Sequence, residues 1–261
     1  MEEERENMKR IAIVTGASSG MGRAFAQRLC EIEPPEEIWL VARREERMKT
    51  LASELPVPAR IFALDLTDPG SIKVLKTVLE EEQPDVRALV NAAGFGKFGT
   101  WKDMTQQETD DMIALNCRAA VDLTVTALPY MGKGARLLEI CSCAGFQPLQ
   151  GLNVYAATKA FLLSFTRALR WETAGKGVKI TAVCPGWVKT EFMKVAQDTK
   201  NGGTVRHFPL ALKPETVAKW ALRENGWNFA VATCAAHTFV QRIAAKILPN
   251  CALMACWEGI R

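Results

Sequence analysis

Tyr155 and Lys159 stand four apart in Asn153-Val154-Tyr155-Ala156-Ala157-Thr158-Lys159, and Ser142 lies a short way upstream. If that stretch is helical, the spacing puts the phenol and the ammonium on one face, about one turn apart. A phenol with a pKa of about 10 is a poor acid or base at neutral pH, but a neighbouring cation favours the phenolate and draws the value toward the working range. A serine hydroxyl beside the pair would hold the oxygen of a carbonyl or alcohol. Such a trio suits proton exchange with that oxygen. A Tyr and a Lys at helical spacing also arise by chance, so the elements around them have to decide.

Near the N-terminus, the apolar run Ile11-Ala12-Ile13-Val14 precedes Thr15-Gly16-Ala17-Ser18-Ser19-Gly20-Met21-Gly22, and a helical pattern begins at Arg23. Strand, glycine turn, helix is the order of a dinucleotide-binding unit. Gly16 would allow the tight turn, Gly20 a close approach of backbone to pyrophosphate, and Gly22 close helix packing, with the helix N-terminus facing the phosphates. The spacing differs from the usual G-x-G-x-x-G, and an ordinary strand-to-helix turn is the plainer alternative.

Further strands are expected at 37–42, 59–64, 88–90 and 179–184, with another carrying Ser142; helices are expected at 44–55, 71–82, 106–130, 153–173 and 214–223. This alternation predicts a single-domain α/β fold, a Rossmann-type doubly wound parallel sheet of about seven strands with helices on both faces. Residues 1–10 read as a charged tail and 11–232 as the catalytic domain, with a substrate lid at about 191–212; 233–261 form an amphipathic extension. Ligands of such sheets gather outside the carboxyl ends of the strands, where Gly16, Asp65, Asn91, Ser142 and Pro185 fall.

The second strand ends in Ala42-Arg43-Arg44, with no carboxylate until Glu45. A carboxylate there would bind a ribose 2′-hydroxyl, whereas an arginine forms a charge-assisted fork on a 2′-phosphate. The sequence therefore predicts NADP(H) over NAD(H), with Arg43 as main determinant and Arg44 as helper. A solvated turn at a helix start is the competing explanation.

In chain order, Thr15-Gly-x-x-x-Gly-x-Gly22, Asn91-Ala92-Ala93-Gly94, Asn116, Ser142, Tyr155-x-x-x-Lys159 and Pro185-Gly186 with Val188 and Thr190 resemble the short-chain dehydrogenase/reductase (SDR) family over about residues 10–225. Asn-Ala-Ala-Gly replaces the family's usual Asn-Asn-Ala-Gly. The resemblance implies an NADP(H)-dependent oxidoreductase in which Tyr155 exchanges the proton, Ser142 steadies the oxygen and Lys159 also holds the nicotinamide ribose. Asn116 would position a water leading to the lysine. Ser18, Ser19 and Met21 would join the glycines at the phosphates, Asp65 and Leu66 would meet the adenine, and Asn91 to Gly94 with Pro185 to Thr190 would line the cofactor. Homo-dimers or homo-tetramers are implied as well. A non-catalytic NADP(H)-binding sensor or scaffold is the reading of another class, and it would be expected to have lost Tyr155, Lys159 or Ser142.

Phe95, Phe98, Phe146, Gln147, Trp187 and Met193 are the candidates to border the substrate, and Asn201-Gly202-Gly203 is a plausible lid hinge. The inventory favours a hydrophobic alcohol or ketone such as a steroid or bile acid, as in the hydroxysteroid dehydrogenase branch, with a 3-oxoacyl or other small ketone as alternative. Core packing would explain any one of these aromatics. Thr238 to Leu248 is amphipathic and basic on one side before Pro249. It reads as a helix against a partner subunit or the cleft, or as an interfacial membrane helix. Arg242, Lys246 and Pro249 break it too early to span a bilayer.

Composition agrees with this picture. A chain of 261 residues with 48% hydrophobic residues can bury a large core, and a net charge of +4 without basic blocks points to no nucleic-acid partner. The charged first ten residues exclude an ordinary secretory signal. Eight scattered cysteines without a C-x-x-C pair indicate the cytoplasm, and Cys141 and Cys143 beside Ser142 read as core filling. With only His207 and His237 and no zinc spacing, no metal is assigned.

Overall fold

The β-branched runs form one sheet and the amphipathic segments cover it. The computed structural model describes residues 7–200 and 204–259. In the first half, β1 (Arg10–Thr15), β2 (Glu37–Ala42), β3 (Ala59–Ala63) and β4 (Asp85–Asn91) alternate with α1 (Gly20–Ile32), α2 (Glu45–Glu54) and α3 (Pro69–Glu82). Next come α4 (Gln106–Ile113), a π-helical stretch (Ala114–Ala119) and α5 (Ala120–Ala127). The second half holds β5 (Arg136–Ile140), α6 (Asn153–Glu172), β6 (Lys179–Val183), α7 (Phe192–Gln197), α8 (Pro214–Gly226) and β7 (Val231–Ala232), then α9 (Ala236–Ile247) and α10 (Asn250–Glu258).

The seven strands run in the order β3-β2-β1-β4-β5-β6-β7, every pair parallel, as the alternation predicts. Side chains alternate across each strand. Ala12, Val14, Ile38 and Leu40 therefore face Phe25 and Leu29 of α1 with Val217 and Ala221 of α8. Ile11, Ile13, Trp39 and Val41 face Leu75 and Leu79 of α3 with Leu123 of α5 and Leu169 of α6. Each large side chain buried in this way contributes roughly 1.5–3 kcal/mol. Strand order reverses between β1 and β4, and a crevice opens at their carboxyl ends.

Several expectations are corrected. The long helix at 106–130 is interrupted: a capping box between Thr105 and Glu108 starts α4, and the π-helical stretch at 114–119 then widens the ladder and carries Asn116 toward the loop after β4. Ser142 lies beyond the end of β5, where its hydroxyl accepts from Ala144 N at 3.1 Å and caps a 3₁₀ turn over Cys143–Phe146. Arg10 belongs to β1 rather than to a tail, since its backbone N–H donates to Glu36 Oε2 and its carbonyl accepts from Glu36 N. Residues 1–6 of the expected tail and the expected hinge Asn201-Gly202-Gly203 lie outside the described residues. No helix among the described residues is long and apolar enough to cross a membrane.

Candidate active site

The glycine turn is built around backbone proximity. Gly16 has φ +65, and a Cβ there would sit 2.9 Å from the Ala92 carbonyl and Ala93 nitrogen. A Cβ on Gly22 would meet the Gly16 carbonyl oxygen at 2.3 Å. The turn after β1 is thus pressed against the loop after β4, and Thr15 Oγ1 accepts from Ala93 N at 3.0 Å to hold it there. Along this junction runs a groove of about 470 Å³, lined at one end by Ser18, Ser19, Arg43 and Arg44 and farther along by Gly94, Phe95 and Thr190. Arg44 donates to Ser18 Oγ at 3.1 Å and Ser19 Oγ at 2.7 Å. Arg43 is more exposed and lies 3.7 Å from Asp65 Oδ2. Burial raises the Asp65 carboxyl, but its bonds from Thr67 and the charge of Arg43 outweigh this and hold it below the usual value.

A second cleft, about 420 Å³ and mostly apolar, lies beyond the groove. Ser142, Tyr155 and Lys159 line it, along with Gln147, Trp187 and Met193. The two clefts share Met21, Ala92, Gly94, Thr190 and Phe192, and Tyr155 and Lys159 lie beside two of these, Phe192 and Gly94.

α6 carries Tyr155 and Lys159 on one buried face, as the spacing predicts. The Tyr155 ring packs on Phe192 with centroids 5.3 Å apart, and Lys159 Nζ lies 5.8 Å from the Tyr155 centroid while donating to Ile140 O at 2.7 Å. Burial pushes the phenol well up from its ordinary value, and the Ser142 hydroxyl offsets only part of this. Burial also pushes the Lys159 ammonium down. Desolvation of both groups thus opposes the pull that a neighbouring ammonium exerts on the phenol.

Behind this site Asn91 Nδ2 donates to Thr124 Oγ1 at 2.8 Å and Glu139 Oε1 at 2.9 Å. Glu139 is fully buried; burial raises its carboxyl to about 7 against the opposing bonds from Thr124 and Asn91. Its Oε2 has no hydrogen-bond partner.

The profile of the family described as short chain dehydrogenase matches residues 10–201. The chain belongs to the short-chain dehydrogenase family. Sulfoacetaldehyde reductase 2 of Chromohalobacter salexigens is 34% identical to this short-chain dehydrogenase over 251 residues, 93% of this chain and 95% of that protein. A solved short-chain dehydrogenase from Sphingobium yanoikuyae in complex with NADPH is similar at TM-score 0.79 and 26% identity, covering 97% of this chain and 96% of that one. The bulky-bulky ketone specific alcohol dehydrogenase from Comamonas testosteroni is similar at TM-score 0.73 and 27% identity, covering 94% and 93%.

Placed on this short-chain dehydrogenase, the sequence candidates divide. Gly16, Gly20, Gly22, Ser18, Ser19, Met21, Leu66, Ala92, Ala93 and Gly94 line the groove. Asn91 does not, because its amide is engaged by Thr124 and Glu139 inside the core. Pro185, Gly186 and Val188 border the cavity rather than the groove, and Thr190 borders both. The Asn116 amide is held by both backbone groups of Phe95 and by Thr158 Oγ1, so its side chain braces the loop after β4. Phe95 borders the groove instead of the cavity. Phe98 is wholly buried behind Trp187 and Phe208, and Phe146 packs near Leu162 and Val231 on the far side. Sequence reasoning missed the wall supplied by α9 and α10: His237, Gln241, Leu253 and Trp257. Trp257 Nε1 donates to Gln150 O at 2.8 Å and anchors that wall. The amphipathic period of α9 was the available signal, but it left open which surface the helix covers. Among the described residues no group of three or more His, Cys, Asp or Glu side chains is placed to hold a metal.

Proposed function

We propose that this protein interconverts a carbonyl and a secondary alcohol on a bulky, apolar substrate with NADP(H). The observation that carries this reading is the opening of Ser142 and Tyr155 into an apolar cavity at its seam with the dinucleotide groove. At Gly20 a Cβ would press on Thr190 in the groove wall, and Arg43, Arg44 and two serine hydroxyls supply donors suited to a phosphate on the ribose. Asp65 and Leu66 would flank the adenine. NADP(H), held by the glycine turn and the two arginines, would supply or accept the hydride. Tyr155 gives a proton to the developing alkoxide, or takes one in the reverse direction, while Ser142 donates a hydrogen bond to the same oxygen. Lys159, fixed by the Ile140 carbonyl, holds the ribose and biases the phenol; Asn116 keeps the loop beside it in register.

The cavity volume falls within the range of small-molecule sites, and its walls offer few polar groups. Those walls support a bulky ketone. The relatives named above do not single out a steroid or bile acid, which remain members of a wider substrate class. Exposed apolar side chains on α5 and α6, Val125, Phe161 and Trp171, support assembly as a homo-dimer or homo-tetramer. The test is NADPH oxidation against a panel spanning small aldehydes, 3-oxoacyl thioesters, diaryl ketones and ketosteroids. Turnover only of bulky ketones is the expected result. Tight NADPH binding with no turnover of any member would favour the sensor reading instead.

A further inference from the structure

α9 carries two differently employed faces. At 3.6 residues per turn, His237, Gln241, Ala244 and Leu248 gather on the side that walls the cavity. Phe239, Val240, Ile243 and Ile247 gather within an arc of about 100° pointing outward, and their exposures of 52%, 64%, 42% and 74% leave this arc uncovered. Arg242 and Lys246 stand along one edge of it. From Asn225 to Trp257 the chain contains no Asp or Glu; the acid in reach of Arg242 is Glu224. Leu210 and Leu248 line the cavity and are also exposed, at 68% and 45%, so the cavity opens next to the same arc.

We propose that the outer face of α9 docks on an anionic lipid bilayer surface and sets the cavity mouth against it. Two features select lipid over a second copy of the chain. The strip is short: 12 residues make a helix of about 18 Å and a face on the order of 200 Å², far below the roughly 800 Å² that each partner of a stable protein interface buries. The charge also fits, since an apolar strip edged by cations and free of acids is the pattern that lies in the headgroup region of anionic membranes. The lipid contact stands independently of the proposed reaction. Delivery of a lipophilic ketone from bilayer to cavity rests on that reaction.

The experiment is sedimentation of the full chain with sucrose-loaded vesicles, comparing phosphatidylglycerol–phosphatidylcholine mixtures with pure phosphatidylcholine. Wild type is expected to partition onto the anionic vesicles at least tenfold more strongly, with the difference shrinking as salt is raised. Val240→Glu with Ile247→Glu should abolish partitioning while leaving turnover of a water-soluble ketone unchanged. Arg242→Gln with Lys246→Gln, which perturbs no apolar packing, should remove the preference for anionic lipid. Equal partitioning of wild type onto both vesicle types, or none onto either, overturns the proposal. So does a larger oligomer of wild type that Val240→Glu with Ile247→Glu dissociates, which would assign the strip to a second copy. Because sedimentation needs no turnover, a failed lipid contact and a failed reaction assignment are read separately.

Discussion

Arg44 donates to the carboxylate of Glu191 at 2.7 Å, so the end of the second strand is tied to the residue that precedes α7, where the lid expected from sequence begins. Arg47 reaches the same carboxylate at 2.6 Å, and the two guanidinium groups hold it down at about 2. Glu191 is therefore ionised at any working pH and partly neutralises Arg44, which lines the groove beside Ser18 and Ser19. Glu191→Gln is expected to tighten NADPH about two- to fivefold, the range of an exposed ion pair, while NADH affinity stays put. Fluorescence titration of both cofactors decides this, and an equal change in both would count against it.

Tyr155→Phe removes the group that exchanges the proton and little else, since the ring keeps its contact with Phe192. We expect kcat to fall about 10²- to 10⁴-fold, the usual contribution of a positioned acid or base, with NADPH affinity within a factor of about two. Lys159→Met should lower both. Turnover by Tyr155→Phe at the wild-type rate would remove the phenol from the mechanism.

The arginines can be ranked. Arg44 bonds the serine hydroxyls of the glycine turn whereas Arg43 reaches outward to Asp65, so Arg44→Ala is expected to cost more NADPH affinity than Arg43→Ala. Charge-assisted bonds of this kind are worth about 1.5–3 kcal/mol, or roughly 10- to 150-fold in the NADPH-to-NADH preference. Equal losses from both substitutions would return the leading role to neither.

Glu139 gives a stability prediction with a definite sign. In the fold its carboxyl keeps its proton up to about 7, while the unfolded chain releases it near 4.5. Between these values the folded state binds more protons, so this group's contribution to stability is intact below about 4.5 and is lost as pH rises through about 7. The loss is on the order of 3 kcal/mol at most. Glu139→Gln should flatten the decline. Urea unfolding at pH 5 and pH 8 measures it, and identical pH dependence in both proteins would contradict the assignment.

Much of the fold and of the reactive face is legible in the amino-acid sequence. The Ile11 to Gly22 pattern located the phosphate turn because strand, turn and helix there are fixed by local preference, and the Tyr155–Lys159 spacing located the reactive face because helical periodicity is local too. What the sequence left open depends on tertiary partners. The bonds of the Asn91 amide to Thr124 and Glu139, distant in sequence, are one case. Phe98 could not be told from a cavity residue because an aromatic side chain suits a cavity wall and a closed core equally well. The lowered phenol pKa was inferred from charge proximity alone, and the burial that opposes it appears only once the surrounding helices are in place.

The groove draws its walls from residues 16 to 195, whereas the cavity is finished by Leu253 and Trp257. In a chain emerging from the ribosome the nucleotide cradle is complete in sequence well before the chamber beside it has its back wall. The same separation gives natural variation two independent dials: changes in α9 and α10 can resize the chamber and re-address its doorway, while the cradle that handles the redox partner is inherited unaltered.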